Sequence, residues 1–273
     1  GGVIQINLLV GRQVASYYEG GIAWLSYADR VYQLPLGVVG IAIGIVLLPN
    51  LAKKLANNDN AGGQNSFNRS LEFSLIIALP SAIALIVMSN VIISALFERG
   101  AFSSLDTLKT AAALTIYGIG LPAFIGQKIY QPIFYARENT RSPFYFALIA
   151  MAVNLTLAVS LAQTFGYLAS ALGTTIASWT MLFLLKNSSK NYGPATQIDS
   201  RNKRVIPRVV IASLIMGGLL LITNHLLSTT FFDVRNKYVV LLIMMFVGGF
   251  SYILIGQLIG AFSFKEIKSY FKK

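Results

Sequence analysis

An arginine lies deep within a long apolar segment of this chain. Arg30 stands nine residues inside the stretch from Gly21 to Pro49, which exceeds the about 20 residues needed to cross a bilayer. At about 1.5 Å per residue, Arg30 lies roughly 14 Å from the end of that helix, near the midplane. A cation there costs at least about 2.5–3.5 kcal/mol unless it faces water or a partner. We therefore interpret Arg30 as a functional residue in a polar cavity. Its first candidate ligand bears phosphate, because guanidinium forks match phosphate oxygens.

The same helix face carries further polar and small residues. At 100° per residue, one arc of the helix holds Ser26, Arg30, Gln33, Gly37, Gly40 and Gly44. For Gly40 and Gly44 the simpler interpretation is close packing of helices, but packing alone does not require a cation. Asp29 is the neighbour of Arg30 in sequence, yet it points about 100° away, so an ion pair between them is the less favoured alternative.

Two more cations lie within predicted spans. Arg12 is close enough to the outer end of its helix to reach the interface or to line a cavity. Lys128 lies nearer the cytoplasmic end of its helix, with the same two alternatives. Asn154 is a buried amide that either bonds a neighbouring helix or coordinates an ion. Hydroxyls recur every four residues at Ser170, Thr174 and Ser178, a spacing more typical of interhelical hydrogen bonds than of ligands.

Composition identifies an integral membrane protein. The chain has 273 residues, of which 55% are hydrophobic and 12% charged, whereas soluble domains carry about 25% charged residues. It has no cysteine and one histidine, His225, which excludes disulfides and thiolate metal sites. Asp29 is the one carboxylate deep in a predicted span, so hydrolytic or metal-dependent catalysis is poorly supported. The expected class is a transporter without cofactor, rather than an enzyme.

Hydropathy predicts an all-α, polytopic membrane bundle of about eight helices. The apolar runs are too long for the strands of a membrane barrel. The predicted spans are Val3–Tyr18, Gly21–Pro49, Phe67–Phe97, Leu108–Tyr135, Pro143–Ala162, Gly166–Leu185, Val205–Leu227 and Tyr238–Phe262.

Basic residues predict the orientation of these spans. Of the 22 lysines and arginines, 15 lie at the ends that follow the even-numbered spans, and four lie in the opposite loops. By the positive-inside rule the richer side, including the C-terminus, is cytoplasmic. The net charge of +12 is therefore a topology signal, and no nucleic-acid partner is needed to explain it.

The chain divides into four predicted parts. Residues 1–187 form a six-helix lobe, and the polar segment 188–204 reads as a flexible cytoplasmic linker. Residues 205–262 form a helix pair that approaches closely through Gly217-Gly218 and Gly248-Gly249. The basic, aromatic tail 263–273 is expected to lie against inner-leaflet phospholipids. The absence of a starting methionine indicates a piece of a longer protein.

Four segments resemble one family. They are QINLLVGRQVAS, YADRVYQLPLGVVGIAIGIVLLPNLAK, ALFERGAFSSLDT and FYARENTRSPF. They resemble the second half of the MurJ (MviN) family, the bacterial lipid II flippases of the multidrug/oligosaccharidyl-lipid/polysaccharide exporter superfamily. The resemblance implies spans seven to fourteen of a fourteen-span protein of the bacterial inner membrane, whose N-terminal lobe is absent here. It implies outward movement of the undecaprenyl-pyrophosphate-linked peptidoglycan precursor by alternating access, with the last two helices forming a groove for the lipid tail.

The resemblance also assigns residues. Arg30 matches the essential cavity arginine of this lobe, and Ser26, Gln33, Lys128 and Arg12 are expected to line the substrate route. Some relatives bind sodium at positions that correspond here to Gly11, Asn154, Ala158 and Thr174, so both carboxylates of that site are missing. Asn154 and Thr174 remain as an incomplete cation site, which makes the membrane potential the better candidate driver, at about 2.3 kcal/mol per charge per 100 mV.

Three alternatives stay open from the residues. One is another lipid-linked oligosaccharide, polysaccharide or multidrug exporter of the same superfamily. A second is a membrane-embedded glycosyl- or phosphotransferase, which would need paired carboxylates or a histidine near a span end. A third is an inert scaffold, which would tolerate the loss of Arg30.

Overall fold

The computed structural model describes residues 11–42, 48–57, 59–230 and 237–262. Regular secondary structure in these ranges is helical. We number the longer helices α1 Gly21–Ala42, α2 Leu48–Ala56, α3 Asn60–Val87, α4 Ser89–Phe97, α5 Ser104–Tyr135, α6 Arg141–Ser160, α7 Leu168–Ser189, α8 Ser200–Thr230 and α9 Lys237–Leu258. Residues 11–16 are also helical. A single turn, Ala162–Phe165, precedes α7, and a 3-10 segment, Lys190–Thr196, follows it.

Within the described ranges, six helices are long and apolar enough to cross a membrane: α3, α5, α6, α7, α8 and α9. This confirms the prediction of a polytopic, all-α membrane protein. Helix α1 has 22 residues and carries Asp29 and Arg30, and it is not among the six. The first half of the first predicted span, residues 3–10, lies outside the described residues, as do Gly44 and the tail 263–273.

Helix α5 is the central element of the lobe. Its N-terminus is closed by a capping box, in which Ser103 and Asp106 satisfy each other's backbone N–H groups. Its apolar face is fully buried at Leu121, Ile125 and Ile129, where α1, α3 and α7 pack around it. Other positions of α5 carry polar side chains that line a cavity of the lobe.

The third predicted span differs from the structure. The sequence predicts one helix over Phe67–Phe97, whereas the chain breaks at Met88 between α3 and α4. Ser89 follows the break and donates a hydrogen bond to the carbonyl of Ile86 at 3.4 Å. Serine hydroxyls compete for backbone groups in this way, and such a break is invisible in an apolar window.

Helices α8 and α9 form a pair in which α8 packs on α3 and α9 packs on α4. A second core contains Val209, Met216 and Leu220 of α8 together with Met244 of α9. The predicted glycine contacts are only partly as expected. Gly248 faces the Leu220 side chain of α8, but Gly217 faces α3, and Gly218 and Gly249 face open space.

The segment predicted to be a flexible linker is instead held against α3. Ala195 and Thr196 are buried, and the carbonyl of Gln197 accepts a hydrogen bond from the Asn68 amide at 2.9 Å. The backbone N–H of Asp199 donates to Asn68 Oδ1 at 3.0 Å. Amide side chains on α3 thus form hydrogen bonds with the backbone of the segment. The composition of the segment alone does not reveal these bonds.

A charge cluster joins α3 to the start of α8. We call Arg69, Glu72, Asp199 and Arg201 the α3–α8 cluster. Glu72 is 1% exposed and forms ion pairs with Arg69 and Arg201, and Arg69 also pairs with Asp199. Asp199 Oδ1 accepts a hydrogen bond from the backbone N–H of Asn202 at 2.7 Å, which caps α8. The cluster therefore fixes the helix pair to the lobe at the predicted cytoplasmic end.

Candidate functional site: the lobe cavity

A cavity of about 1200 Å³ lies between α1, α5, α6 and α7 and the helical residues 11–16. Such a volume is larger than most small-molecule pockets, which measure about 300–1,000 Å³. Its walls combine aromatic and aliphatic side chains with many polar ones. The polar lining residues are Arg12, Ser26, Asp29, Tyr32, Gln33, Tyr117, Gln127, Lys128, Gln131, Tyr135, Thr140, Ser170, Thr174 and Ser178.

Asp29 is the carboxylate that lines the cavity. It accepts a hydrogen bond from the Gln33 amide one turn further along α1, and it also interacts electrostatically with Arg12. No ion pair between Asp29 and Arg30 occurs in the described structure, as their separation of about 100° on the helix predicts. Asp29 therefore belongs to the cavity and leaves Arg30 free for another role.

Arg30 is exposed and is not among the residues that line this cavity. In the described ranges its side chain has no hydrogen-bond or ion-pair partner. The sequence placed Ser26, Arg30 and Gln33 on one face, but the structure divides that face: Ser26 and Gln33 line the cavity, and Arg30 stands at its side. Exposed Leu34 and Gly37 accompany Arg30 on this strip of α1.

Lys128 lines the cavity from α5. Its side-chain stem lies against Gly40 of α1, where an added Cβ would be 3.4 Å from Cδ and 3.5 Å from Cε. Gly40 therefore leaves room for the side-chain stem of Lys128. The sequence instead predicts that Gly40 allows close packing of two helices. Gln131 and Tyr135 continue the polar lining toward the predicted cytoplasmic end.

The positions implied as a cation site do not fit a sodium ion. Thr174 and Gly11 line the cavity, but Asn154 does not, and Asn154 is 1% exposed where α6 packs against Gly173 of α7. Ala158 is fully buried and offers no side-chain oxygen as a ligand. A Cβ on Gly11 would lie 2.6 Å from Ser170 Oγ, so this corner is filled by protein.

The sequence did not single out several cavity residues. Gln127 lines the cavity and donates a hydrogen bond to the carbonyl of Ser178 at 2.9 Å, and Tyr32 lines it beside Tyr117, with ring centroids 5.3 Å apart. The hydroxyls of Ser170 and Thr174, which the spacing assigned to helix contacts, lie in the lining as well. Tyr32 and Gln127 are near neighbours in sequence of Asp29 and Lys128, and this closeness could have suggested them. The sequence does not show which helices face each other across the cavity, so it could not bring these residues together.

Comparison with known proteins identifies the family of this arrangement. A family model described as "Lipid II flippase MurJ" matches residues 1–243. The chain belongs to the lipid II flippase MurJ family. The "probable lipid II flippase MurJ" of Rhizobium tropici is 44% identical over 225 residues, which cover 82% of this chain and 42% of that protein. The protein of the same name from Vibrio cholerae is 29% identical over 269 residues, covering 98% of this chain and 51% of that protein.

A solved structure of a MurJ protein has the same fold. The structure titled "Lipid II flippase MurJ, inward closed conformation" matches with a TM-score of 0.76 and 30% sequence identity, over 94% of this chain and 51% of that one. The chain thus spans about half the length of the MurJ proteins it matches. These findings confirm the resemblance drawn from the four sequence segments.

Proposed function

We propose that this chain is the second half of a flippase that moves lipid II from the cytoplasmic to the periplasmic leaflet of the bacterial inner membrane, for peptidoglycan synthesis. The protein is a transporter, and its C-terminus is cytoplasmic. Family membership supports the substrate class, and it does not favour the multidrug or polysaccharide exporter alternative. Alternating access needs two lobes, so an N-terminal lobe, as the greater length of the relatives implies, is a required partner.

The observation that carries the proposal is an unpaired guanidinium beside a large polar cavity in an apolar lobe. Arg30 is exposed on α1 and has no partner in the described ranges. A cation that faced acyl chains at this depth would cost at least about 2.5–3.5 kcal/mol, so its face must meet water, another protein segment or an anion. A diphosphate offers oxygens that match the guanidinium fork.

The candidate residues have different roles in binding the substrate headgroup. Arg30 holds the pyrophosphate through charge-assisted hydrogen bonds, which strengthen away from water. Gln33 and Ser26, with Lys128 and Arg12 at the two ends of the cavity, line the route of the headgroup. Because the sodium positions do not fit an ion, we assign the driving force to the membrane potential, worth about 2.3 kcal/mol per charge per 100 mV.

The test uses the full-length protein in a strain depleted of its own flippase. Arg30→Ala should abolish growth while the protein is still made at normal levels. Arg30→Lys should also be impaired, because an ammonium lacks the planar, rigid fork of donors that matches two phosphate oxygens. The matched control is Arg99→Ala, which removes an exposed arginine in the loop after α4 and should leave growth intact.

Normal growth with Arg30→Ala would overturn the proposal, and it would favour an inert scaffold instead. Loss of growth with both Arg30→Ala and Arg99→Ala would show that general loss of basic charge, and not the position of Arg30, was responsible.

A further inference from the structure

We propose that Lys128 forms a second anion subsite at the cytoplasmic end of the cavity, and that Gly40 keeps its ammonium there. The inference rests on the proposed function and deepens it. The ligand is the anionic headgroup of the substrate, and Lys128 meets it before Arg30 does.

The first step is the packing of Lys128 on Gly40. A Cβ at Gly40 would stand 3.4 Å from Cδ, 3.5 Å from Cε and 3.9 Å from Nζ of Lys128. The lysine stem thus lies against α1 at Gly40, a position that has no side chain. Glycine is less favourable than alanine within a helix, and here the missing side chain leaves room for a cation that lines the cavity.

The second step is that Lys128 has no anionic partner among the residues that the structure describes. No ion pair or hydrogen bond of Lys128 occurs in the described part of the chain. Asp29, the carboxylate in the cavity lining, lies eleven residues before Gly40 on α1, which is about 16 Å along the axis. The nearer lining side chains on α5, Gln127 and Gln131, are uncharged. The ammonium is therefore available to an external anion.

The third step is the separation of the two cations. Gly40 follows Arg30 by ten residues on α1, so Lys128, which lies against Gly40, is about 15 Å from Arg30 along the axis of α1. One diphosphate cannot contact both at once. Because the C-terminal end of α1 is the predicted cytoplasmic end, Lys128 captures the anion as it leaves the inner leaflet, and Arg30 receives it deeper in the membrane.

The first test measures the local charge directly. Gln131 lies one turn from Lys128 on α5 and lines the cavity, and this chain contains no cysteine. In the full-length protein, freed of any other cysteine, Gln131→Cys is labelled with a negatively charged and with a positively charged thiol reagent. Side chains at this spacing have Cβ atoms about 5–6 Å apart, so Lys128→Gln should lower the anion-to-cation rate ratio by at least about fivefold.

The glycines provide a matched series. Gly40→Val should lower the ratio nearly as much, because its methyl groups would reach the space of the lysine stem and turn the ammonium away. The stem is flexible, so the protein should still fold. Gly40→Ala should have little effect, since its Cβ makes ordinary contacts. Gly37→Val makes the same change one turn away, where nothing lies within 4 Å, and should leave the ratio unchanged. Equal ratios in Gly40→Val and Gly37→Val, or no effect of Lys128→Gln, would overturn the inference.

The second test separates capture from translocation. In a flipping assay with full-length protein in vesicles, Lys128→Gln should raise the lipid II concentration for half-maximal rate by about tenfold, with a smaller effect on the maximal rate, and Lys128→Arg should restore it. If Arg30→Ala abolishes flipping and Lys128→Gln leaves both parameters unchanged, the subsite is wrong and the proposed function stands. If Arg30→Ala flips normally, the proposed function itself fails.

Discussion

The α3–α8 cluster yields a stability prediction that the sequence alone would not make. Glu72→Gln keeps the size of the side chain but removes its charge at a position that is 1% exposed. The carboxylate accepts three hydrogen bonds, one from Arg69 and two from Arg201 at 2.7 and 3.1 Å. The glutamine must turn an N–H₂ group toward an arginine donor, so at least one of these bonds is lost.

The structure sets the size of the effect. Hydrogen bonds to charged groups contribute about 1.5–3 kcal/mol each. The two arginines are 22% and 41% exposed, so water compensates part of the loss on their side. We therefore expect Glu72→Gln to destabilise the fold by about 2–3 kcal/mol in total, less than three independent bonds would give.

Thermal unfolding of the full-length protein in detergent measures the effect. The matched control is Glu19→Gln, which makes the same change at an exposed position before α1 and should leave the midpoint unchanged. Combining Glu72→Gln with Arg201→Ala should cost less than the sum of the single changes, since both break one network. Equal midpoints for Glu72→Gln and Glu19→Gln would refute the reasoning, and residues 188–204 would then act as the flexible linker that their composition indicates.

Two further changes test helix packing. Gly173→Ala should destabilise the lobe by about 1–3 kcal/mol, because its Cβ would meet the Asn154 side chain and lie 2.9 Å from the Asn154 carbonyl oxygen. The control is Gly218→Ala, at a position where nothing lies within 4 Å of an added Cβ. In the same thermal assay it should be neutral or slightly stabilising. Tyr252→Phe should cost about 1–2 kcal/mol, since its buried hydroxyl donates to the Ile76 carbonyl at 2.7 Å, and hydrogen exchange should rise along α9 but not along α6.

Much of the fold follows from composition and hydropathy. The long apolar runs predict the helices α5 to α9 to within a few residues at most ends, because a bilayer demands both length and internal hydrogen bonding. The break at Met88 and the packing of residues 188–204 were not predictable. Both depend on side chains, Ser89 and Asn68, that bond to backbone groups, and hydropathy does not register such bonds.

The site was predictable by residue type but not by arrangement. A helical wheel groups Ser26, Arg30 and Gln33 on one face of α1. Only part of that face lines the cavity, and which part depends on the helices that pack opposite α1. The role of Gly40 depends on Lys128, 88 positions later in the chain, and no local pattern connects them. The assignments of Arg30 and Lys128 to the substrate therefore remain predictions.

The central claim is that the guanidinium of Arg30 binds the anionic headgroup. Its most direct test is the affinity of the purified full-length protein for lipid II, compared between wild type, Arg30→Ala and the Arg99→Ala control. Loss of a bidentate, charge-assisted pair should weaken binding by at least about tenfold, with Arg99→Ala unchanged. An Arg30→Ala protein that is folded and binds lipid II as tightly as wild type would contradict the account.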